Sequence, residues 1–177
     1  VEKLLHSKKG DLPDMLIFLI TIFILAVGFL ILAFITPKIT DGLNIAGLNN
    51  SAEAQGSIEH LENFGTVTIQ RGFLFLFVGL SIALMTTSFF VSRHPMFLFL
   101  YILFLGLTIF IGTFLGNAYE QIATSPVLAD TLASQGLITA IMQNIVMITL
   151  IIGALSMIIT FAKFSSRFAG GSQGGQL

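Results

Sequence analysis

Four stretches of this chain run for twenty residues or more without a charged side chain, and each is apolar all round. They cover 15–36 (MLIFLITIFILAVGFLILAFIT), 72–91 (GFLFLFVGLSIALMTTSFFV), 96–115 (MFLFLYILFLGLTIFIGTFL) and 137–162 (LITAIMQNIVMITLIIGALSMIITFA). A helix of about 20 mostly apolar residues spans the roughly 30 Å of bilayer hydrocarbon. A charge at the bilayer centre costs at least about 2.5–3.5 kcal/mol on insertion scales, so its absence from all four stretches matters. A water-soluble core helix would instead show a polar stripe at 3.6-residue spacing. The expectation is an all-α integral membrane protein. Four transmembrane helices would form an antiparallel up-down bundle, with short interfacial helices in the two outer loops.

Composition closes off the soluble alternative. Only 10% of the 177 residues are charged and 55% are hydrophobic, with a mean hydropathy of +0.95. Soluble domains carry roughly 25% charged residues. A net charge of −1 leaves no electrostatic footprint for nucleic acid. With no cysteine, the chain has no disulfide framework, thiol chemistry or thiolate metal site. Eighteen phenylalanines stand against two tyrosines and no tryptophan, so the usual interfacial aromatic belts are nearly absent. Phenylalanine suits lipid contact or close protein packing, because it offers area without a polar handle.

The first stretch also invites comparison with a cleaved leader, because Lys8 and Lys9 precede it. Its 22 apolar residues exceed the 7–15 of a signal peptide, and Pro37-Lys38 follows instead of a small-residue cleavage site. A prepilin-type cut after Lys8-Lys9-Gly10 fits poorly with three further spans. An uncleaved first helix is expected. Asp11 would cap it, with Pro13 and Asp14 in its first turn and Pro37 stopping it.

Basic residues set orientation when loops are short. Lys3, Lys8 and Lys9 lie in the 1–14 segment, Arg93 in the 92–95 turn, and Lys163 and Arg167 in the 163–177 tail. The first outer loop (37–71) holds Lys38 and Arg71, and the second (116–136) holds neither lysine nor arginine. Both termini and the 92–95 turn are therefore expected on the cytoplasmic or equivalent inner side. The turn, Ser92-Arg93-His94-Pro95, implies a tight helical hairpin, with His94 a solvated residue. The tail from Gly170 is rich in glycine, serine and glutamine, a flexible composition.

Within the first outer loop, 57–65 (SIEHLENFG) predicts a short helix capped by Ser57 and stopped by Gly65. Ile58, Leu61 and Phe64 would form its apolar stripe on lipid or a partner. Glu59, His60 and Glu62 lack the Glu-x-x-His spacing of di-metal bundles, so a solvated charged face is expected. Asn49-Asn50-Ser51 matches a glycosylation sequon, a weak signal. In the second outer loop, Ser125-Pro126 predicts a helix start, with Leu128 and Leu132 on one side. The fourth helix is expected to begin there, with Gly136 as its weak point.

Small residues allow helices to approach closely in lipid, where burial alone does not drive pairing. Thr108, Gly112 and Gly116 form such a seam on the third span, and Thr149, Gly153, Ser156 and Thr160 on the fourth. The third and fourth helices are expected to pack through them. Gly79 and Ala83 give the second span a weaker patch. Gln143 and Asn144 are the only amides within a span and are expected at the outer boundary.

No Ser-His-Asp arrangement, phosphate loop or HExxH motif is present, and His6, His60 and His94 lie far apart in the chain. No catalytic residue, cofactor, metal or small-molecule substrate is therefore expected. Ion-coupled transport is disfavoured because the spans hold neither a charge nor a proline. The expectation is a structural or assembly protein, as a subunit of a larger membrane complex or of the membrane of a lipid-containing virion. Its partners would be the lipid bilayer and other membrane proteins or copies of itself. The alternative is an oligomeric, holin-like pore lined by threonine and serine of the second and fourth helices.

Overall fold

The computed structural model describes residues 14–48, 50–90 and 97–169. Among them the chain is helical throughout, with no strand. The elements are α1 (Asp14–Ile45), α2 (Ala52–Asn63), a π-helical turn (Phe64–Thr68), α3 (Ile69–Phe90), α4 (Phe97–Ala123), a 3-10 turn (Pro126–Leu128), α5 (Ala129–Ser134), α6 (Gly136–Gln143) and α7 (Ile145–Ala169). Four helices are long and apolar enough to cross a membrane: Asp14–Ile45, Ala52–Phe89, Leu98–Ala123 and Ile145–Ala162.

Helix α1 is the spine. Met15, Leu19, Ile22, Ala26, Leu30, Ala33, Thr36 and Thr40 are buried, three or four residues apart, forming one inward stripe. Ile17, Ile24 and Ile31 on the other side are exposed. Both α3 and α4 pack on α1, and both pack on α7. The four long helices thus form a square in which α1 and α7 occupy one diagonal, α3 and α4 the other. Among the described residues α3 and α4 share no principal interface, although they are consecutive long helices. The hairpin expected from the 92–95 turn is not a packed pair. Where the helices meet, Phe73 stands edge-on to Phe29 at 6.1 Å, and Phe18 lies 6.2 Å from Phe77. Leu19, Ile22, Phe73, Tyr119, Ile138 and Met142 are completely enclosed.

Pro37 does not end α1 but lies inside it. Proline removes the N–H that would bond the Ala33 carbonyl one turn back. Nearby hydroxyls support the weakened turn: Thr40 donates to the Pro37 carbonyl at 2.8 Å, and Thr36 donates to the Leu32 carbonyl at 2.8 Å. The actual stop is Gly47, at φ +71, where only glycine is unstrained. Leu48 N–H bonds the Leu43 carbonyl and Gly47 N–H bonds that of Asn44, both at 3.1 Å, which is the Schellman pattern. At 32 residues, α1 is about 48 Å long and exceeds the hydrocarbon thickness.

The 37–71 connection is also more helical than expected. Ser51, not Ser57, caps α2, accepting from Ala54 N–H at 3.2 Å. Ser57 instead donates back to the Glu53 carbonyl at 3.0 Å. Gly65 does not stop the helix; it sits in the π turn through which α2 continues into α3. In the 116–136 connection, α4 continues beyond 115 to Ala123. Ser125 and Pro126 do start a helical segment, but Ser125 makes no side-chain cap bond. The expected single fourth helix is broken at Gln135, next to Gly136, and again at Asn144. The 137–162 span is therefore α6 plus most of α7.

Candidate functional site

Of the expected orientation residues, Lys8, Lys9 and Arg93 lie outside the described residues, as do Asp11, Pro13 and the 170–177 tail. Lys163 and Arg167 fall in the last turns of α7.

The small-residue seams are brought into the bundle, but not as one interface. Gly153 faces α1 and α4: a Cβ there would lie 2.5 Å from Leu105 Cδ1 and from Met15 Cε. The buried Tyr101 hydroxyl donates to the Gly153 carbonyl at 3.1 Å and lies 3.3 Å from Met15 Sδ. Ser156 and Thr160 face α3 instead. The Ser156 hydroxyl bonds that of Ser88, and the Thr160 hydroxyl lies 3.4 Å from the Ser88 carbonyl. Thr149 is fully buried and its hydroxyl has no partner among the described residues. On α4, Thr108 is buried and donates to the Phe104 carbonyl at 2.8 Å. Cβ atoms at Gly112 and Gly116 would meet neighbours at 3.5 Å or more, which is ordinary contact. Gly79 and Ala83 are exposed, and Ala83 borders a groove between α1 and α3.

Ile58 is buried, while Leu61 is half-buried and Phe64 exposed. Leu128 and Leu132 are half-buried against the core. Gln143 and Asn144 are exposed, and Asn144 donates to the Ala140 carbonyl at 2.8 Å.

Three helix irregularities meet at one end of the bundle: Pro37 in α1, the π turn, and the break at Gln135. Their approach is close, since a Cβ at Gly65 would stand 2.8 Å from Thr36 Cγ2 and 2.9 Å from Thr36 Cβ. Gln135 is completely enclosed and its Nε2 donates to the Gly65 carbonyl at 2.8 Å. Gln70 returns the link through its Nε2 to the Ser134 carbonyl. Gln135 Oε1 is buried without a partner among the described residues.

Beside this junction lies a half-open cavity of about 340 Å³. Ala33, Thr36, Pro37, Thr40 and Asp41 of α1 form one wall. Glu62, Gly65 and Thr66 form the second, and Asp130, Thr131 and Ser134 of α5 the third. Sequence reading misses this site because its carboxylates lie in three separate segments. Gln135, Gln70 and the buried tyrosines escape it for a related reason, since 135 reads as part of a solvated loop. The nearest available signal is the rarity of tyrosine in so phenylalanine-rich a chain.

Comparison with protein-family models, curated proteins and solved structures finds no match. Function rests on the geometry alone.

Proposed function

We propose that the chain is a non-catalytic, membrane-embedded structural subunit, working within a larger membrane complex or in the membrane of a lipid-containing virus particle. The observation that carries this reading is the outward surface. Phe75, Phe99, Phe110, Phe114, Ile24 and Ile158 are each more than half exposed on helices of membrane-spanning length. Such a surface is stable only in lipid or against other apolar helices.

In this reading the four long helices alternate in direction across the bilayer. Residue pairings support the alternation: the end of α1 meets the approach to α3 at Thr36 and Gly65, and Gly116 late in α4 meets Ile145 at the start of α7. The distribution of lysine and arginine supports both termini inside and the cavity at the outer end. An enclosed interior supports a structural role over conduction through one copy. Ser88, Ser156 and Thr160, the kind of side chain that would line a pore, are turned into the α3–α7 contact.

Purified protein in mild detergent, measured by light scattering and then reconstituted into liposomes, tests the proposal. A defined complex or monomer with no ion flux is expected. Robust conductance by the pure protein would establish the oligomeric pore instead.

A further inference from the structure

We propose that the π turn is a register switch for α2, and that the Gln135 amide is the pin that sets it. An α-helix bonds each N–H to the carbonyl four residues back and turns about 100° per residue. At the turn Phe64–Thr68 the ladder lengthens by one residue, and the Ile69 N–H reaches back to the Phe64 carbonyl. Stepping from that spacing to the ordinary one leaves a carbonyl of the turn without a backbone donor. Gln135 brings a donor from another segment. Its Nε2 bonds the Gly65 carbonyl at 2.8 Å and lies 3.4 Å from that of Thr66. The side chain is fully enclosed, and its Oε1 has no partner among the described residues. The amide is thus held in place as a donor, although its acceptor goes unused.

The extra residue in the turn decides which side of α2 faces the bundle. Helix α3 is fixed by Ile69 and Phe73, 2% and 0% exposed. Helix α2 is held lightly: its principal neighbours are α1 and the π turn, and Ile58 is its buried side chain. Were the turn α-helical, α2 would rotate about 100° and shift about 1.5 Å relative to α3. Glu59, now exposed, would take the place of Ile58. Ile58 would come within about 20° of Ile69 around the helix axis, in line with the apolar stripe of α3.

Each register therefore has its own support. The straight helix gains regular bonding and a continuous apolar stripe. The observed one buries Ile58, keeps the Glu59 carboxylate in solvent and gains the Gln135 bond. Gln135 sits at the break between α5 and α6, and the adjacent Ser134 carbonyl accepts from Gln70 Nε2 on α3. Moving α5 away from α3 withdraws the pin, so the position of α5 and the facing of α2 are coupled through one amide.

The test uses the full chain in detergent micelles, with Ile58→Cys or Glu59→Cys introduced singly into the cysteine-free sequence. Reaction rates with a soluble maleimide are measured with Gln135 in place and in Gln135→Leu. With Gln135 in place, position 58 should react slowly and position 59 fast. In Gln135→Leu the order should exchange, the rate at 58 rising about tenfold and that at 59 falling about tenfold. Deletion of Val67 takes one residue out of the turn, and should keep 58 protected whether residue 135 is glutamine or leucine. Gln135→Asn, whose amide falls one methylene short, is read in the same way if Gln135→Leu does not elute as a single folded species. Any other pattern overturns the proposal: rates rising at both positions would show local unfolding, unchanged rates would show that the amide does not set the register, and exchange persisting in the deletion background would show that the extra residue is not its cause. The inference stands on the junction alone and is independent of the structural role.

Discussion

Glycine at 65 and glycine at 112 look alike in the sequence and do opposite things in the structure. Gly65 lies against the Cβ of Thr36, an atom fixed to the backbone of α1. Gly65→Ala is expected to cost about 1–3 kcal/mol of stability, because neither helix can yield without moving the junction. Gly112→Ala meets only methyl groups at 3.6 Å or more and removes a flexible residue from a helix. It should be neutral or stabilise by up to about 1 kcal/mol. Chemical unfolding in detergent would separate the two, and equal losses would show that the α4 seam needs its glycines after all. Gln135 offers a sharper residue-scale check. Its Nε2 feeds the Gly65 carbonyl, so Gln135→Leu should cost about 1 kcal/mol. Gln135→Glu should cost more, because an ionised carboxylate can only accept and would face a carbonyl oxygen. The same unfolding assay reads both.

At the scale of elements, the four long apolar helices are legible in the sequence because hydropathy reports them directly. Which face of each helix points inward is not legible. In α1 the buried Ile22 and the exposed Ile24 are the same residue type, so no polarity contrast marks the inside. The seams on α4 and α7 are visible as small residues, but not the division that turns Gly153 toward α1 and α4 and Ser156 toward α3. Helix ends are misread where a residue's usual habit is overridden. Pro37 reads as a stop until the hydroxyls of Thr36 and Thr40 are seen bonding carbonyls around it, while the true stop, Gly47, lies ten residues on. The cavity is invisible because nothing in the spacing of Asp41, Glu62 and Asp130 says that α1, α2 and α5 converge. The hydroxyl beside the proline gives an element-scale prediction. Thr40→Val removes its bond to the Pro37 carbonyl and should lose about 1 kcal/mol, read by chemical unfolding in detergent; no loss would show that the bond does not stabilise the turn.

The whole molecule lends itself to topology mapping, because it contains no cysteine to interfere with labelling. Single replacements Asn50→Cys and Ser172→Cys should react with an impermeant maleimide from opposite faces of sealed vesicles. Labelling from the same face would refute the four-span threading. The square arrangement carries one more consequence, for biosynthesis. Helix α7 leaves the ribosome after α1, α3 and α4, yet it packs on both α3 and α4. Until it arrives, those two helices are joined through α1 and the short α6, and the groove it will fill stays open. Assembly of the square therefore waits on α7, and a product truncated before Ile145 would be left as an unlatched trio.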